Sequence, residues 1–232
     1  MKIIKTILAM CFSVCFIFIL LISAFEIAAY SDYGWYKKAY EKYEVCEDLE
    51  MEMDDVMAVT KEMMAYLKGK RQDLVVNTVV GGKGREFFND REKAHMKDVQ
   101  VLFVGGIHLR RIALAILCIT VLLLLIMKVD LKRMLAKAYL IGAGVFSGAS
   151  ILFGIVISKN FYPYFELFHE IFFTNDLWLL DWNTDLLIRM LPEGFFFDMV
   201  FRIGSVFLVL IVLFAAISIA FLLKKRKNKK NL

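Results

Sequence analysis

Four apolar stretches, roughly Ile7 to Tyr30, Ile112 to Met127, Tyr139 to Ile157 and Met199 to Leu223, dominate this chain and are long enough, the second only just, to cross a bilayer. A hydrocarbon core of about 30 Å offers no partner for backbone polar groups, so such a run must close its hydrogen bonds internally as a helix. With 59% hydrophobic residues, the sequence reads as an all-α membrane protein with four transmembrane helices. An even number of crossings puts both termini on one side. A cleaved signal peptide is the rival reading of the first run, because Lys2 and Lys5 precede it and Ala28 and Ala29 follow. That run approaches 20 residues, however, whereas a signal core has about 7 to 15.

Basic residues near the helix ends set the orientation. Lys2 and Lys5, then Lys128, Lys132, Arg133 and Lys137, then Lys224 to Lys230 all fall on the side expected to be cytoplasmic. The resulting layout is helix one in 1–30, an extracellular cap in 31–109, helix two in 110–127 and a cytoplasmic loop in 128–138. Helix three follows in 139–157, a second extracellular segment in 158–198, helix four in 199–223 and a basic cytoplasmic tail in 224–232. The second external segment carries seven acidic residues against Lys159 and Arg189 alone, which fits the same rule. The net charge of +5 is accounted for by these flanks. It points to anionic inner-leaflet lipid rather than nucleic acid. Cys11, Cys15 and Cys118 lie in membrane helices and Cys46 alone is external, so no disulfide framework is expected.

The cap is expected to be mainly helical. Tyr33, Tyr36, Tyr40 and Tyr43, with Trp35 beside them, recur at helical spacing and suggest that helix one continues beyond the bilayer. Such a stripe is ordinarily an interfacial belt and packing; the other reading is a route to a site. From Cys46 to Lys70, Leu49, Met53, Val56, Val59 or Met63, and Leu67 share one face of an amphipathic helix that Gly69 would stop. Gly81-Gly82-Lys83-Gly84 reads as a turn, and Leu74 to Val80 is ambiguous.

Only three histidines occur, and His95 and His169 both fall in external, aromatic-rich segments. Arg91, His95 and Asp98 share a helical face at i, i+4 and i+7, which is suited to orienting an imidazole. An ordinary solvated charged face looks the same. The second segment gathers Phe165, Phe168, Phe172, Phe173 and Trp178 around His169, more apolar surface than a soluble loop needs and suited to holding an acyl chain at the interface. His169-Glu170 is not a zinc-protease motif, because Phe173 stands where the second histidine belongs. A site of His95, His108 and His169 lacks metal-ligand spacing, so no metal is expected. Cys46 carries no mark of activation, and no serine sits in a nucleophile elbow. Two histidines without a nucleophile suit paired acid and base catalysis, such as acyl transfer to an amine.

The segments Phe88-Asn89-x-Arg91-Glu92-x-x-His95-Met96-x-Asp98-Val99 and Phe168-His169-x-x-Phe172-Phe173-x-Asn175-Asp176-x-Trp178-x-Leu180-Asp181, followed by Leu187-Ile188-Arg189-Met190-x-Pro192-Glu193, resemble the lipoprotein intramolecular transacylase family of bacterial membrane enzymes. The resemblance covers essentially the whole chain. Trp182 departs from it, standing where a proline is expected after the Leu-Asp pair.

The resemblance implies a substrate, a bacterial lipoprotein whose N-terminal cysteine carries a diacylglyceryl thioether and a free α-amine. The sn-2 acyl chain moves onto that amine through an eight-membered cyclic structure, so positioning is the main catalytic task. His95 and His169 are the expected acid and base, in either order. Asp98 or Arg91 would fix the tautomer of His95, and Asn175 would donate to the oxyanion. Arg189 and Glu193 would brace the loop, with Trp178 and Asp181 as further supporting residues. Ester-to-amide transfer needs no cofactor, and none is expected. A monomer at the external face of the plasma membrane is implied, with diacylglyceryl lipoproteins and membrane lipid as partners. The alternative is a catalytically silent scaffold that holds lipoprotein on the same fold.

Overall fold

The computed structural model describes residues 1–230, with side chains through Lys224, so most of the basic tail lies outside the described side chains. Among the described residues, four helices are long and apolar enough to cross a membrane: α1 (Lys2–Tyr30), α5 (Asp90–Ile126), α6 (Leu131–Ile157) and α9 (Glu193–Lys230). The protein is thus a mostly helical membrane protein. At 1.5 Å per residue α5 is about 55 Å long, well beyond a hydrocarbon core of about 30 Å. Its C-terminal part, from about Ile112, is apolar, and the charged turns around His95 precede that part.

The backbone divides into two units. The first comprises Met1–Ala28, Ile107–Val156 and the chain from Phe201. Its core is Ile17, Leu20, Ala24, Tyr139, Ala143, Phe207 and Ile211. Polar atoms inside it find backbone partners: the Tyr139 hydroxyl donates to the Ile211 carbonyl at 2.9 Å and Ser13 donates to that of Ala138 at 3.0 Å. Gly142 permits this approach of α1 to α6, because a Cβ there would clash with Ser13 Oγ. Arg110 pairs with Glu26. Leu122, Leu125, Ile151, Leu152, Val209 and Val212 are exposed, as lipid-facing side chains are.

The second unit comprises Ala29–Gly106 and Ile157–Val200. Here the first helix does not continue beyond Tyr30 as expected. Asp32 is extended, and a separate helix α2 (Tyr33–Lys42) begins. The break is stabilised by Tyr36, whose hydroxyl donates at 2.8 Å to the Ala29 carbonyl that the ending helix leaves free. Within the tyrosine stripe, Tyr36 and Tyr40 are packing residues, buried around Phe195, while Tyr33 and Tyr43 are half-buried. The amphipathic helix of the sequence is two helices, α3 (Val45–Leu49) and α4 (Met53–Leu67), separated where Glu50 turns left-handed. Val56, Val59, Met63 and Leu67 are buried on α4. Gly69, at φ 73°, ends α4: its N–H donates to Tyr66 and that of Lys70 to Ala65, a Schellman closure.

The ambiguous run before the glycines resolves into a hairpin, so the region is mainly but not wholly helical. Strand β1 (Asn77–Val80) pairs antiparallel with β2 (Lys83–Glu86), with Val80 opposite Lys83. The connecting Gly81 and Gly82 both have positive φ, as a two-residue hairpin turn matching strand twist requires. Two short helices complete the unit, α7 (Tyr162–Phe172), with Pro163 in its first turn, and α8 (Leu186–Met190).

A candidate active site at two buried histidines

The site is built on the N-terminal turns of α5. Asn89 stands just before the helix, and its Oδ1 accepts from the Glu92 N–H at 2.9 Å, while Glu92 Oε2 accepts from the Asn89 N–H at 2.7 Å. This reciprocal capping box satisfies two donors that a helix start leaves free. Glu92 does more than cap its own helix. Its other oxygen accepts from the Leu187 N–H at 2.6 Å, in the first turn of α8. One fully buried carboxylate thus caps two helix N-termini separated by 95 residues, and burial pushes its pKa up against the pull of those N–H groups.

Asp185 completes the joint. Buried just before α8, it accepts from Asn89 Nδ2 at 2.6 Å and from the Asp181 N–H at 2.7 Å. Sequence reasoning assigned no role to Glu92, Asn89 or Asp185. The Asn-x-x-Glu spacing ahead of a helix was the signal for the first two; nothing local marks Asp185.

One turn beyond Glu92 lies His95, 7% exposed, and facing it is His169 of α7, 8% exposed. Their ring centroids are 6.1 Å apart at 33°. Phe173 touches both, at 5.4 Å and 5.5 Å, and Trp178 stacks on His169 at 4.9 Å and 28°. His169 Nδ1 lies 2.7 Å from the Phe165 carbonyl oxygen. A carbonyl only accepts, so Nδ1 carries the hydrogen and Nε2 of the neutral ring keeps its lone pair. His95 differs: its Nδ1 is buried with no hydrogen-bond partner among the described residues. A buried polar atom left unpaired costs about 1–3 kcal/mol.

Both imidazoles are held neutral. Burial, reinforced by the neighbouring His169, pushes His95 down to about 4, with Asp98 pulling weakly the other way. Burial also lowers His169, opposed by its bond to Phe165. Each ring therefore offers one N–H and one lone pair at neutral pH, the complement needed to take a proton at one atom and give one at another.

Arg91 and Asp98 flank His95 by one turn on either side, and both reach the chain leaving α7. Arg91 donates to the Asp176 carbonyl, and Asp98 accepts from Asn175 Nδ2 at 2.9 Å. Neither is bonded to His95; both hold the turn that links His169 to Trp178. Asn175 commits one amide hydrogen to Asp98, and its oxygen accepts from the Leu177 N–H. Asp181 accepts from Asn183 and passes its own N–H to Asp185. Arg189 pairs with Asp48 of α3 at 3.2 Å, while Glu193 is exposed in the first turn of α9. Cys46 is a free thiol that burial and nearby carboxylates push up, the opposite of an activated nucleophile. His108 is exposed and belongs to the first unit.

Sequence comparison matches residues 10–196 to the family described as lipoprotein intramolecular transacylase Lit. An uncharacterized protein of Aquifex aeolicus (strain VF5) is 31% identical over 139 residues, 60% of this chain and 57% of that protein. The match thus spans little more than half of that relative. Among solved structures, the membrane integral lipoprotein intramolecular transacylase Lit from Bacillus cereus is similar over 98% of this chain and 100% of that one, with a TM-score of 0.79 at 22% identity. A form of it with one histidine replaced by alanine gives 0.76 at 21% identity over 97% of each chain. At these identities the likeness is one of fold.

Proposed function

The chain belongs to the lipoprotein intramolecular transacylase family, and from that premise we propose that it moves the sn-2 acyl chain of a lipoprotein's S-diacylglyceryl cysteine onto the α-amine of the same cysteine. The observation that carries this reading is the pair of buried, neutral imidazoles at 6.1 Å, contributed by two distant segments.

The reaction is an isomerisation. The amine nitrogen bonds to the acyl carbon, the ester C–O bond breaks, and the proton lost by nitrogen ends on the glyceryl oxygen. An α-amine with a pKa of about 7.7–8.0 is largely protonated at neutral pH and must be relieved of protons to attack. His169 suits the base. Its Nδ1–H is anchored on Phe165, which leaves Nε2 as acceptor and steadies the imidazolium that forms. His95, more strongly held neutral, suits the donor that meets the oxyanion and then the leaving oxygen. Asn175, Arg91, Asp98 and Trp178 are positioning residues for His169 and its turn. Asp181, through Asp185, and Arg189, through Asp48, hold the segment that follows, and we assign Glu193 no bond in this bracing.

Hydropathy and the basic flanks support a plasma-membrane protein with cytoplasmic termini and its site at the external interface, where acyl chains and a polar head group meet. The substrate supplies all atoms, so the reaction consumes nothing else. Tandem mass spectrometry of a synthetic diacylglyceryl-cysteine lipopeptide tests the reading. Wild type should place an acyl amide on the N-terminal fragment without changing total mass, and His95→Ala and His169→Ala should not. An amine left free by folded wild-type protein would refute it and favour a lipoprotein-holding scaffold.

A further inference from the structure

Four residues after Trp178, whose indole lies on His169, the same loop presents Trp182, 48% exposed. Trp182 lines an open cavity of about 360 Å³ whose other walls include Tyr43, Glu44, Glu47, Asp48 and Arg189. Part of this wall is fixed. Asp48 is paired with Arg189 at 3.2 Å, and the Tyr43 hydroxyl donates to the Gly194 carbonyl at 2.8 Å. Gly194 is required there, because a Cβ would clash with the Tyr43 ring. Glu44 and Glu47 are exposed, and neither makes an ion pair among the described residues. Lys42, paired with Asp198, already lies over the Tyr43 ring at 4.8 Å. With Arg189 offset by Asp48, the cavity keeps two carboxylates outside any described ion pair beside the exposed Trp182 indole. That combination suits an aliphatic stem ending in a cation, which lies along the indole face and presents its charge to the carboxylates.

Chain geometry relates the cavity to the histidines. Four residues span at most about 14 Å even when fully extended, so Trp182 cannot be farther than that, backbone to backbone, from the tryptophan that lies on His169. A peptide leaving a cysteine held at the two imidazoles covers the same distance within about four residues.

We propose that this cavity binds the lipoprotein chain just downstream of the modified cysteine, roughly its second to fifth residues, and prefers a Lys or Arg there; the inference rests on the transacylase reading. The docked peptide adds orientation to a reaction that must close a medium ring, so remote contact assists the chemistry.

Direct binding tests this apart from catalysis. The full chain in zwitterionic nanodiscs, chosen so that anionic lipid does not attract the probe, is titrated with two fluorescent diacylglyceryl-cysteine peptides. Both have an acetylated α-amine and cannot react; one carries Lys-Lys and the other Glu-Glu at the third and fourth positions. Wild type should bind the lysine peptide about tenfold more tightly, and the ratio should shrink toward one in Trp182→Ala and in Glu44→Gln/Glu47→Gln. Equal affinities in wild type, or a preference that survives the double substitution, overturn the proposal. Because all three side chains are exposed, melting curves should show the variants folded; in wild type alone, raising salt from 50 to 500 mM should shrink the ratio, and a salt-independent ratio also counts against it. The same peptides with a free amine separate the two readings. Preference without acyl transfer sustains docking and sinks the transacylase, whereas transfer without preference does the reverse.

Discussion

Replacing Glu92 with alanine should loosen the joint between α5 and α8 by an amount that the geometry allows to be worked out. The carboxylate is fully buried and accepts from Asn89 N at 2.7 Å and Leu187 N at 2.6 Å. Leu187 is buried, so its orphaned N–H should cost about 2 kcal/mol; Asn89 is half-buried and water can reach it, so about 1 kcal/mol is apt there. Some of this is recovered, because the carboxylate is itself held out of water, as its raised pKa records. A net loss of about 2 kcal/mol corresponds to a melting temperature lower by about 4–8 °C for a chain of this size. Glu92→Gln should fall between, since its amide oxygen still accepts one N–H while its NH2 faces the other. Because Glu92 lies one turn before His95, transacylation by the folded alanine variant should drop about tenfold. Thermal melts in detergent and the lipopeptide assay measure both. A Glu92→Ala protein that melts within a degree of wild type and turns over equally fast would sink the argument that this carboxylate joins the two helices.

Acidification should destabilise the protein through His95. Unfolded, it protonates near ~6.5, and folded only at about 4, so between those values the unfolded chain binds more protons and stability falls as pH falls. The full shift is worth about 3 kcal/mol; melts from pH 7 to pH 4.5 should show a shallower decline in His95→Asn, and an unchanged slope would count against the buried neutral ring. Asn175→Asp should set two carboxylates against each other where the amide now bonds Asp98 at 2.9 Å, lowering turnover several-fold. The exchange Asp98→Asn with Asn175→Asp should restore most of it, and a double variant no better than the single would show that this bond does not hold the turn.

Apolar length alone located the four long helices, because the bilayer leaves a twenty-residue apolar run few alternatives. Gly69 was legible as a stop because a left-handed residue at a helix end is a local requirement. The helical face of Arg91, His95 and Asp98 was equally local. The breaks after Tyr30 and at Glu50 were not legible: neither falls on a proline or glycine, Gly34 standing already inside α2, and the first depends on Tyr36 reaching back to Ala29. The hairpin announced itself only through its two glycines. Arg91 and Asp98 were assigned to His95 because they neighbour it on the helix, yet they bond to residues some eighty positions away. Glu92 and Asp185 act across similar separations, and one sequence carries no record of such pairs.

The hydrogen bond from His169 to Phe165 runs from a residue to the carbonyl four positions earlier in its own helix. The proton inventory of this imidazole is therefore decided by a single turn rather than by a partner brought from elsewhere. α7 ends only three residues later, at Phe172. Fraying of that last stretch would free Nδ1 to shed its hydrogen and let the ring take the other tautomer, with its lone pair on the wrong atom. Whatever keeps eleven residues coiled at this end, the indole of Trp178 and the turn held by Asp98 included, thereby also decides whether the proposed base is armed.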